Sequence, residues 1–328
     1  MRGEDQGGGE TEKTPLILNL LPQGEKGEYP MKKNIEKLKK EKGAVILAHN
    51  YQLPEIQELA DFTGDSLELA RKSAELDYKT LIFCGVKFMA ETAKILSPGK
   101  KVLLPEIDAG CPLADTAEPD KVLKLKEKHP DAWIVSYVNT SAEIKAITDV
   151  CCTSANAEKV VRNVPAEEII FLPDKNLCSY VRKRVPEKRI ICWDGYCYVH
   201  RRFTPEEVKQ AREAHPDAEI IVHPECDPAV QELADGIYST SGMLRRAKET
   251  RAKKLIIGTE EGMLFRIKKE VPDKEIYSLG SPKICYNMKK ITLQSLESSL
   301  EKDRYEIALP EDIMKKARLS LERMIKYI

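Results

Sequence analysis

The sequence predicts an α/β fold in which three similar small domains, each a parallel sheet flanked by helices, are arranged around a pseudo-threefold axis. Short apolar runs rich in Ile and Val alternate with amphipathic helical stretches, which is the pattern of βαβ units. The chain also repeats itself, because Cys111, Cys197 and Cys285 lie 86 and 88 residues apart, each in a predicted loop. A repeat of this length is too long for a solenoid unit and suits a small α/β domain. The 328 residues also exceed the length at which a single core stops growing.

Other residues recur at nearly the same step and mark equivalent points of the three repeats. The residues that end the predicted strands are His49, Tyr137 and His223. The recurring serines are Ser66, Ser154 and Ser239, and the recurring prolines are Pro98, Pro186 and Pro272. From this recurrence we expect α/β repeats over 31–115, 116–202 and 203–328. The last range is expected to include additional C-terminal helices. Residues 1–30 are expected to form a mobile N-terminal tail, because they hold Gly7 to Gly9, several acidic residues and one short apolar stretch, Leu16 to Leu21.

The first repeat is expected to alternate helices with three strands. The predicted order is a helix over about 31–42, a strand over 44–48, helices over 54–60 and 66–76, a strand over 80–84, a helix over 87–96 and a strand over 101–104. Pro54 suits the first turn of its helix, and Asp65 with Ser66 forms a typical N-terminal cap. The loop that carries Cys111 follows the last strand.

The second and third repeats are predicted to follow the same course. Their expected elements are helix 119–128, strand 133–138, helices from about 141 and 154, strand 168–172, helix 176–184, strand 189–193, helix 205–214, and strands 219–223, 254–258 and 275–279. Matching His-Pro-Asp-Ala turns at 129–132 and 215–218 end the opening helix of each repeat. The remainder, 289–328, is expected to form two helices, with Pro310 in the first turn of the second.

The composition excludes some classes of function. Lys and Arg number 53, and Asp and Glu also number 53, so there is no basic excess for binding nucleic acid or an anionic membrane. No apolar run is long enough for a membrane span, and the N-terminus does not resemble a signal peptide. We therefore expect a cytoplasmic protein whose nine cysteines serve metal binding or catalysis rather than disulfides.

Three of the cysteines are candidate metal ligands. Cys111, Cys197 and Cys285 lie at matched points of the repeats, and the sequence contains no Cys-x-x-Cys pair of the kind that closes a zinc site. Three isolated thiolates suit a [4Fe–4S] cluster, whose open iron acts as a Lewis acid on hydroxyl or carbonyl oxygen. The alternative is that they are buried structural cysteines, as we expect for most of the other six. Of those six, Cys226 beside Glu225 is the candidate for a spare ligand.

Short segments spread along the chain resemble motifs of the quinolinate synthase family. They are His49-Asn50-Tyr51-Gln52, Gly64-Asp65-Ser66, Phe83 to Thr92, Ala109-Gly110-Cys111-Pro112, Tyr137-Val138-Asn139-Thr140, Cys197-Tyr198-Val199-His200, His223-Pro224-Glu225-Cys226, Ser239 to Met243 and Cys285 to Lys289. The resemblance runs in order from about Met31 to Leu300. The chain departs from many members in having Tyr286 after the last cysteine where they have proline. It also lacks the Cys-x-x-Cys-x-x-Cys that some carry there, which argues against a redox switch built on extra cysteines.

This resemblance implies a reaction and a cofactor. The family condenses iminoaspartate with dihydroxyacetone phosphate to give quinolinate, phosphate and water, on the route to NAD. Its cofactor is a [4Fe–4S] cluster, which the resemblance assigns to Cys111, Cys197 and Cys285. An aspartate-oxidising enzyme is the natural source of iminoaspartate. Two alternatives are another [4Fe–4S]-dependent hydro-lyase and a non-catalytic iron–sulfur or zinc protein, which would need a fourth protein ligand.

The same motifs supply the candidate site residues. Because both substrates are anions, we expect hydroxyls and helix N-termini to bind them, although each serine is also explained as a plain N-cap. The candidate substrate-binding residues are His49, Ser66, Tyr137, Asn139, Ser154, His223, Glu225, Ser239, Thr240 and Thr259. The candidate catalytic residues are Glu225, Tyr51, His49, Tyr137 and His200. Glu225 is expected to be the base of the final deprotonations.

Overall fold

The fold contains three four-stranded parallel sheets flanked by helices, as the sequence predicts. The structure is a computed structural model that describes residues 28–327. The mobile tail expected over residues 1–30 therefore lies almost entirely outside the described residues. Within 28–327, no helix has the length and apolar character that crossing a bilayer requires.

The first unit contains a sheet with strand order β2-β1-β3-β4. Its elements are α1 (Glu28–Glu41), β1 (Ala44–His49), α2 (Pro54–Leu59), β2 (Phe62–Gly64), α3 (Ser66–Glu75), β3 (Thr80–Cys84), α4 (Lys87–Leu96) and β4 (Lys101–Leu103). All six residues of β1 are buried, which is typical of a parallel strand covered on both faces.

The second and third units repeat this order of elements. The second has α5 (Pro112–Asp115), α6 (Pro119–Lys128), β5 (Trp133–Tyr137), α7 (Ala142–Ala146), β6 (Val150–Cys152), α8 (Ala157–Asn163), β7 (Glu168–Leu172), α9 (Lys175–Arg184) and β8 (Arg189–Cys192). The third has α10 (Pro205–Ala214), β9 (Glu219–Val222), α11 (Pro228–Leu233), β10 (Gly236–Ile237), α12 (Thr240–Glu249), β11 (Lys254–Gly258), α13 (Gly262–Glu270) and β12 (Glu275–Ser278). Their strand orders, β6-β5-β7-β8 and β10-β9-β11-β12, match that of the first sheet.

One hydrogen bond recurs in all three units and shows that the repeat is structural. In each unit an aspartate accepts from a backbone N–H of the first strand at 2.8 Å. The donor and acceptor pairs are Ile46 with Asp61, Ile134 with Asp149, and Ile220 with Asp235. Their spacing of 88 and then 86 residues lies within the range of the sequence repeat.

One short edge strand of each sheet was not predicted. These strands, β2, β6 and β10, are two or three residues long and pair with the first strand of their unit. A segment this short shows no periodicity, so its strand structure depends on the neighbouring strand. Strand β4 is also three residues long but was predicted, because it belongs to the mostly apolar run over 101–104. Pro310 also differs slightly from expectation, because it is the N-cap of the last helix rather than part of its first turn.

Two C-terminal helices follow the third unit, α14 (Leu293–Lys302) and α15 (Glu311–Lys326). Helix α14 packs against α1, and α15 packs against α7 and β6. Leu296 and Leu300 belong to the core of the first unit, and Leu321 and Met324 belong to that of the second. The helices therefore complete the cores of the first two units, although they follow the third in sequence. The domain boundaries 31–115, 116–202 and 203–328 stay a prediction.

The first and third units dock closely around Gly262, the first residue of α13. A Cβ at this position would lie 2.8 Å from the carbonyl carbon of Tyr51 and 3.0 Å from the oxygen of Gln52. The Gln57 amide donates to the Gly262 carbonyl at 3.1 Å, and the Lys289 ammonium donates to the Tyr51 carbonyl at 2.7 Å. The loop after β1 is thus held by groups of the third unit and of the segment that follows it.

Replacing Gly262 with alanine should lower the free energy of unfolding by about 1–3 kcal/mol, because the new methyl group meets backbone atoms that cannot turn aside. Thermal unfolding would measure the loss as a lower melting temperature. Gly99→Ala is the matched control, since nothing lies within 4 Å of a Cβ there. Equal melting temperatures for the two variants would contradict the close packing at Gly262.

Candidate active site

One cavity lies where the carboxyl ends of the three sheets converge, which is where open α/β sheets bind ligands. Its empty volume, including the open mouth, is about 790 Å³, a size suited to small molecules. The predicted site residues that line it are His49, Tyr51, Ser66, Tyr137, Asn139, Ser154, His200, His223, Glu225, Thr240, Cys111, Cys197 and Cys285. Two predicted residues, Ser239 and Thr259, are not part of its wall.

Helix ends and polar groups provide the sites for anions. None of the described residues that line the cavity is Lys or Arg. Ser66 and Thr240 are the first residues of α3 and α12, so the partial positive charge of two helix N-termini faces the cavity. Ser239 is the N-cap of α12, whereas Ser154 lies in a turn three residues before α8. The buried amide oxygen of Asn139 has no partner among the described residues and is free to accept a hydrogen bond.

Two buried histidines occupy equivalent positions in the first and third units. Nδ1 of His49 accepts from the backbone N–H of Tyr51 at 3.1 Å, and Nδ1 of His223 accepts from that of Glu225 at 3.3 Å. Burial lowers the pKa of His49 to about 4 and that of His223 to about 3. Both rings are therefore neutral at pH 7, and the accepting role of Nδ1 leaves the proton on Nε2. Each ring can donate one hydrogen bond to a ligand.

Glu225 is a buried carboxylate at the centre of the polar wall. Its Oε2 lies 3.0 Å from Nδ1 of His200, although this contact is not aligned as a hydrogen bond. Burial alone would raise the pKa of Glu225, but the facing His200 and His223 and a hydrogen bond from Tyr137 lower it to about 2. The Tyr137 hydroxyl also interacts with Ser154, and burial next to Glu225 raises its own pKa. Glu225 is therefore ionised at pH 7 and Tyr137 is neutral.

A chain of hydroxyl and imidazole groups leads from Tyr51 to Glu225. The Thr259 hydroxyl lies 2.6 Å from the Tyr51 hydroxyl and 2.9 Å from Nε2 of His200. His200 stacks on His223 with ring centroids 4.6 Å apart. The hydroxyl of Thr259, a candidate substrate-binding residue, joins Tyr51 to His200. This arrangement can pass a proton between the Tyr51 hydroxyl and the imidazole beside Glu225.

The three candidate metal ligands come from one loop of each unit. Cys111 is the N-cap of α5, and all three side chains are half-buried free thiols. Two of these loops are held by buried carboxylates. Asp174 accepts from the backbone N–H of Cys197 at 3.2 Å, and Glu260 accepts from that of Cys285 at 3.0 Å. Burial raises the pKa of Cys111 to about 12, so the thiol is neutral unless a metal cation is bound.

The three thiols are too widely spaced to bind one metal ion together. In the described part of the chain, the trio whose ligand atoms all lie within 4.8 Å of one another is Cys197, His200 and Glu225. Cys111, Cys197 and Cys285 do not form such a trio. Thiolates on one tetrahedral zinc ion lie about 3.8 Å apart, whereas thiolates bound to different irons of a cubane cluster lie farther apart. The cavity therefore offers two overlapping ligand sets that share Cys197.

The remaining cysteines are structural. Cys178 and Cys192 form a disulfide between α9 and β8, so the expectation that the cysteines serve metal binding or catalysis rather than disulfides was wrong for this pair. Their contact depends on the packing of a helix on a strand, which the sequence alone does not reveal. Cys226, the candidate spare ligand, does not line the cavity, and its thiol points toward the carbonyl of Gly258 at 3.5 Å. The other buried free thiols are Cys84, Cys151 and Cys152.

Some residues of the wall were not predicted. Asp65 lines the cavity and accepts from the Ser241 hydroxyl at 2.6 Å, and Glu260 forms a buried ion pair with Lys289 at 3.0 Å. Both lie next to predicted residues, Ser66 and Thr259. The rule that ligand sites gather at the carboxyl ends of strands would have included them.

The sequence is similar to one family of proteins along most of its length. The sequence model of the family described as quinolinate synthetase A protein matches residues 33–326. The quinolinate synthase of Thermodesulfovibrio yellowstonii is 54% identical over 291 residues, which cover 89% of this chain and 96% of that protein. That of Caldicellulosiruptor saccharolyticus is 55% identical over 296 residues, with 90% and 98% covered. That of Aquifex aeolicus is 48% identical over 301 residues, with 90% and 94% covered.

Replacing His49 with glutamine should flatten the acid side of the stability profile. The unfolded chain binds the proton at pH about 6.5, whereas burial lowers the pKa of folded His49 to about 4. The neutral ring therefore contributes its full share to the free energy of unfolding above pH about 6.5. As the pH falls toward about 4, this contribution of about 3 kcal/mol is lost. Urea unfolding across this range would measure the difference in slope. His223→Gln should flatten the profile similarly. If both variants keep the wild-type slope of stability against pH, the two histidines are not buried in the neutral form.

Proposed function

The chain belongs to the quinolinate synthetase A family, and we propose on that basis that it condenses iminoaspartate with dihydroxyacetone phosphate. The product, quinolinate, is the compound for which the family and the relatives are named and is a precursor of NAD. The atoms balance when one phosphate and two water molecules leave. The observation that carries the proposal is one cavity in which free cysteines of three units accompany an ionised glutamate and two neutral histidines.

We propose that Cys111, Cys197 and Cys285 hold a [4Fe–4S] cluster. The thiols are unpaired, come from equivalent loops and are too far apart for a single ion. A cluster bound through three cysteines supplies an iron with an open coordination position, which acts as a Lewis acid. His200 and Glu225 have ligand atoms within 4.8 Å of the Cys197 thiol, so the proton-handling groups lie beside the cluster site.

The anionic groups of the substrates are proposed to bind at the helix ends. The Ser66 and Thr240 positions suit phosphate or carboxylate, because each places a hydroxyl at a helix N-terminus, although the N–H groups of Leu67 and Glu68 in α3 already donate to Asp65. Ser154 and Asn139 extend this surface into the second unit. His49 and His223, which carry their proton on Nε2, donate to substrate oxygen without adding a charge.

Glu225 is proposed to be the general base. The Glu225 carboxylate is ionised at pH 7 and lines the cavity, so it can accept protons from carbon during enolisation and during aromatisation of the ring, although the neighbouring histidines that lower its pKa also reduce its basicity. The Tyr137 hydroxyl orients it, and His200 lies 3.0 Å away to receive or return a proton. Through Thr259, His200 connects to Tyr51, whose hydroxyl we assign to protonating a departing oxygen.

The supply of substrate suggests the setting in which the enzyme works. Iminoaspartate is unstable, and we propose that an aspartate-oxidising enzyme provides it nearby. We also propose a cytoplasmic location, which is supported by the seven cysteines that stay free.

Iron and acid-labile sulfide should each reach about four per chain in protein purified without oxygen, and Cys111→Ser should lose both. Cys226→Ala is the matched control, because its thiol is also buried near the cavity but does not line it. Bound zinc in the wild type, or iron that persists in the Cys111 variant, would contradict the proposed ligand set.

Replacing Glu225 with glutamine should reduce quinolinate formation by about 100-fold or more while iron content stays unchanged, because the isosteric amide cannot accept a proton. The assay combines dihydroxyacetone phosphate with iminoaspartate generated during the reaction and detects quinolinate. Glu206→Gln, an exposed position in α10, is the control. Full turnover of the Glu225 variant would remove its role as base. A wild type that dehydrates hydroxy acids and ignores dihydroxyacetone phosphate would instead support a hydro-lyase.

A further inference from the structure

Three buried polar side chains occupy equivalent positions in the three units and have no part in the chemistry described above. They are Gln57 in α2, Lys145 in α7 and Gln231 in α11, which lie 88 and 86 residues apart. Their exposed fractions are 4%, 0% and 7%. Two carry an amide and one carries an ammonium, so the repeat preserves a hydrogen-bond donor rather than a residue type.

Each of these side chains donates to the backbone of the loop that precedes its own helix. In every unit the acceptor is the carbonyl five residues earlier, which belongs to Gln52, Thr140 or Cys226. Gln57 and Gln231 also donate to the carbonyl seven residues earlier, at 3.1 Å and 2.8 Å. The same contact therefore closes the loop after β1, β5 and β9.

These three loops carry much of the polar wall of the cavity. Each loop, together with the end of the strand before it, provides two residues of the wall. They are His49 and Tyr51 in the first unit, Tyr137 and Asn139 in the second, and His223 and Glu225 in the third. Loop carbonyls have no sheet partners and must find other donors when they are buried. A buried side chain that satisfies them also fixes the direction of the loop.

We propose that Gln57, Lys145 and Gln231 are positioning residues, named here the loop anchors, which hold the three active-site loops in the geometry that the reaction needs. This inference rests on the proposed catalytic roles of the loop residues. The anchors do not line the cavity and act through the loop backbone, and Gln57 also donates to the Gly262 carbonyl of the third unit.

The cost of burying the anchors argues against a role in packing alone. The side-chain oxygen of Gln57 is buried and has no hydrogen-bond partner among the described residues. An unsatisfied buried amide oxygen is destabilising, and a methionine of similar volume would avoid that cost. A polar anchor nevertheless stands at all three positions. The loop carbonyls provide the reason, since a methionine would leave them without a donor.

Lys145 differs from the other anchors because a carboxylate of the first unit faces it. Glu91 in α4 accepts from the backbone N–H of Ala142 at 3.0 Å, and its charge interacts with the Lys145 ammonium. The ammonium also lies 5.4 Å from the ring centroid of Phe88. A lysine at this position thus satisfies the loop carbonyl and opposes the charge of Glu91. When Glu91 is made neutral, glutamine should serve as the anchor, as it does in the other units.

Two double variants test this inference, and they differ only in the donor at position 145. Glu91→Gln with Lys145→Gln keeps a donor, whereas Glu91→Gln with Lys145→Met removes it at similar volume. Both remove the electrostatic interaction between the Lys145 ammonium and the Glu91 carboxylate, so its loss cancels in the comparison. Lys126→Met is the surface control, because that ammonium also donates to backbone carbonyls, those of Pro130 and Ala132.

Hydrogen–deuterium exchange of residues 137–141 and steady-state kinetics provide the two readouts. With methionine at position 145, we expect amide exchange in this loop to be about tenfold faster and kcat to fall about tenfold or more, with a smaller change in KM. With glutamine, both should stay within about threefold of wild type, as they should in the Lys126 variant. If the role were merely structural, the methionine variant would have a lower melting temperature. Its kcat, measured well below that temperature, would be unchanged.

Gln231→Met provides a second test without any change of charge, and it should speed amide exchange after β9 in the same way. Equal exchange and equal kcat in the two double variants would overturn the inference. The exchange readout does not depend on turnover. If the Glu225 variant keeps full activity, the proposed chemistry fails, while faster loop exchange without the anchor would still support the role of the anchors in fixing the loops.

Discussion

The rest of the structure depends on the convergence of three parallel sheets with their carboxyl ends on one cavity. Each sheet contributes one cysteine loop and one loop that follows its first strand. A parallel strand requires a crossover, so every loop at this end is followed by a helix whose N-terminus is directed to the same side. Sites for thiolates and for anions thus arise from the same topology. The repeated aspartate contact to the first strand keeps the three sheets alike where they meet.

The cavity gathers negative charge in a place where water is largely excluded, and the fold offsets that charge in several ways. Glu225 accepts a hydrogen bond from Tyr137 and lies beside His200, and Glu260 is paired with Lys289. Asp174 has no cationic partner among the described residues and instead accepts from backbone N–H groups, including that of Cys197. An isolated buried charge is costly. We therefore interpret each of these carboxylates as serving either to accept hydrogen bonds from a loop backbone or to accept a proton. Neutral histidines allow the wall to bind anions without further charge.

Much of the architecture could be predicted from the sequence because the strands are short runs of Ile and Val at a regular spacing. The same spacing identified Cys111, Cys197 and Cys285, which line one cavity as expected. The edge strands β2 and β10 could not be found, since each is short, contains a glycine and lacks a run of Ile and Val. The direction of Thr259 toward Tyr51 and His200 was also hidden, because it depends on how the units pack. The loop anchors were present in the repeat but escaped notice, since one of them changes residue type.

The C-terminal helices have a consequence for how the chain folds as it is made. Helix α14 packs on α1, which leaves the ribosome more than two hundred residues earlier, and together they close the first core. The first unit therefore keeps apolar surface exposed until α14 has been synthesised, whereas domains generally fold in order from the N-terminus. Apolar surface that stays exposed on a nascent chain favours aggregation. A chain that stops before α14 keeps this surface exposed for good.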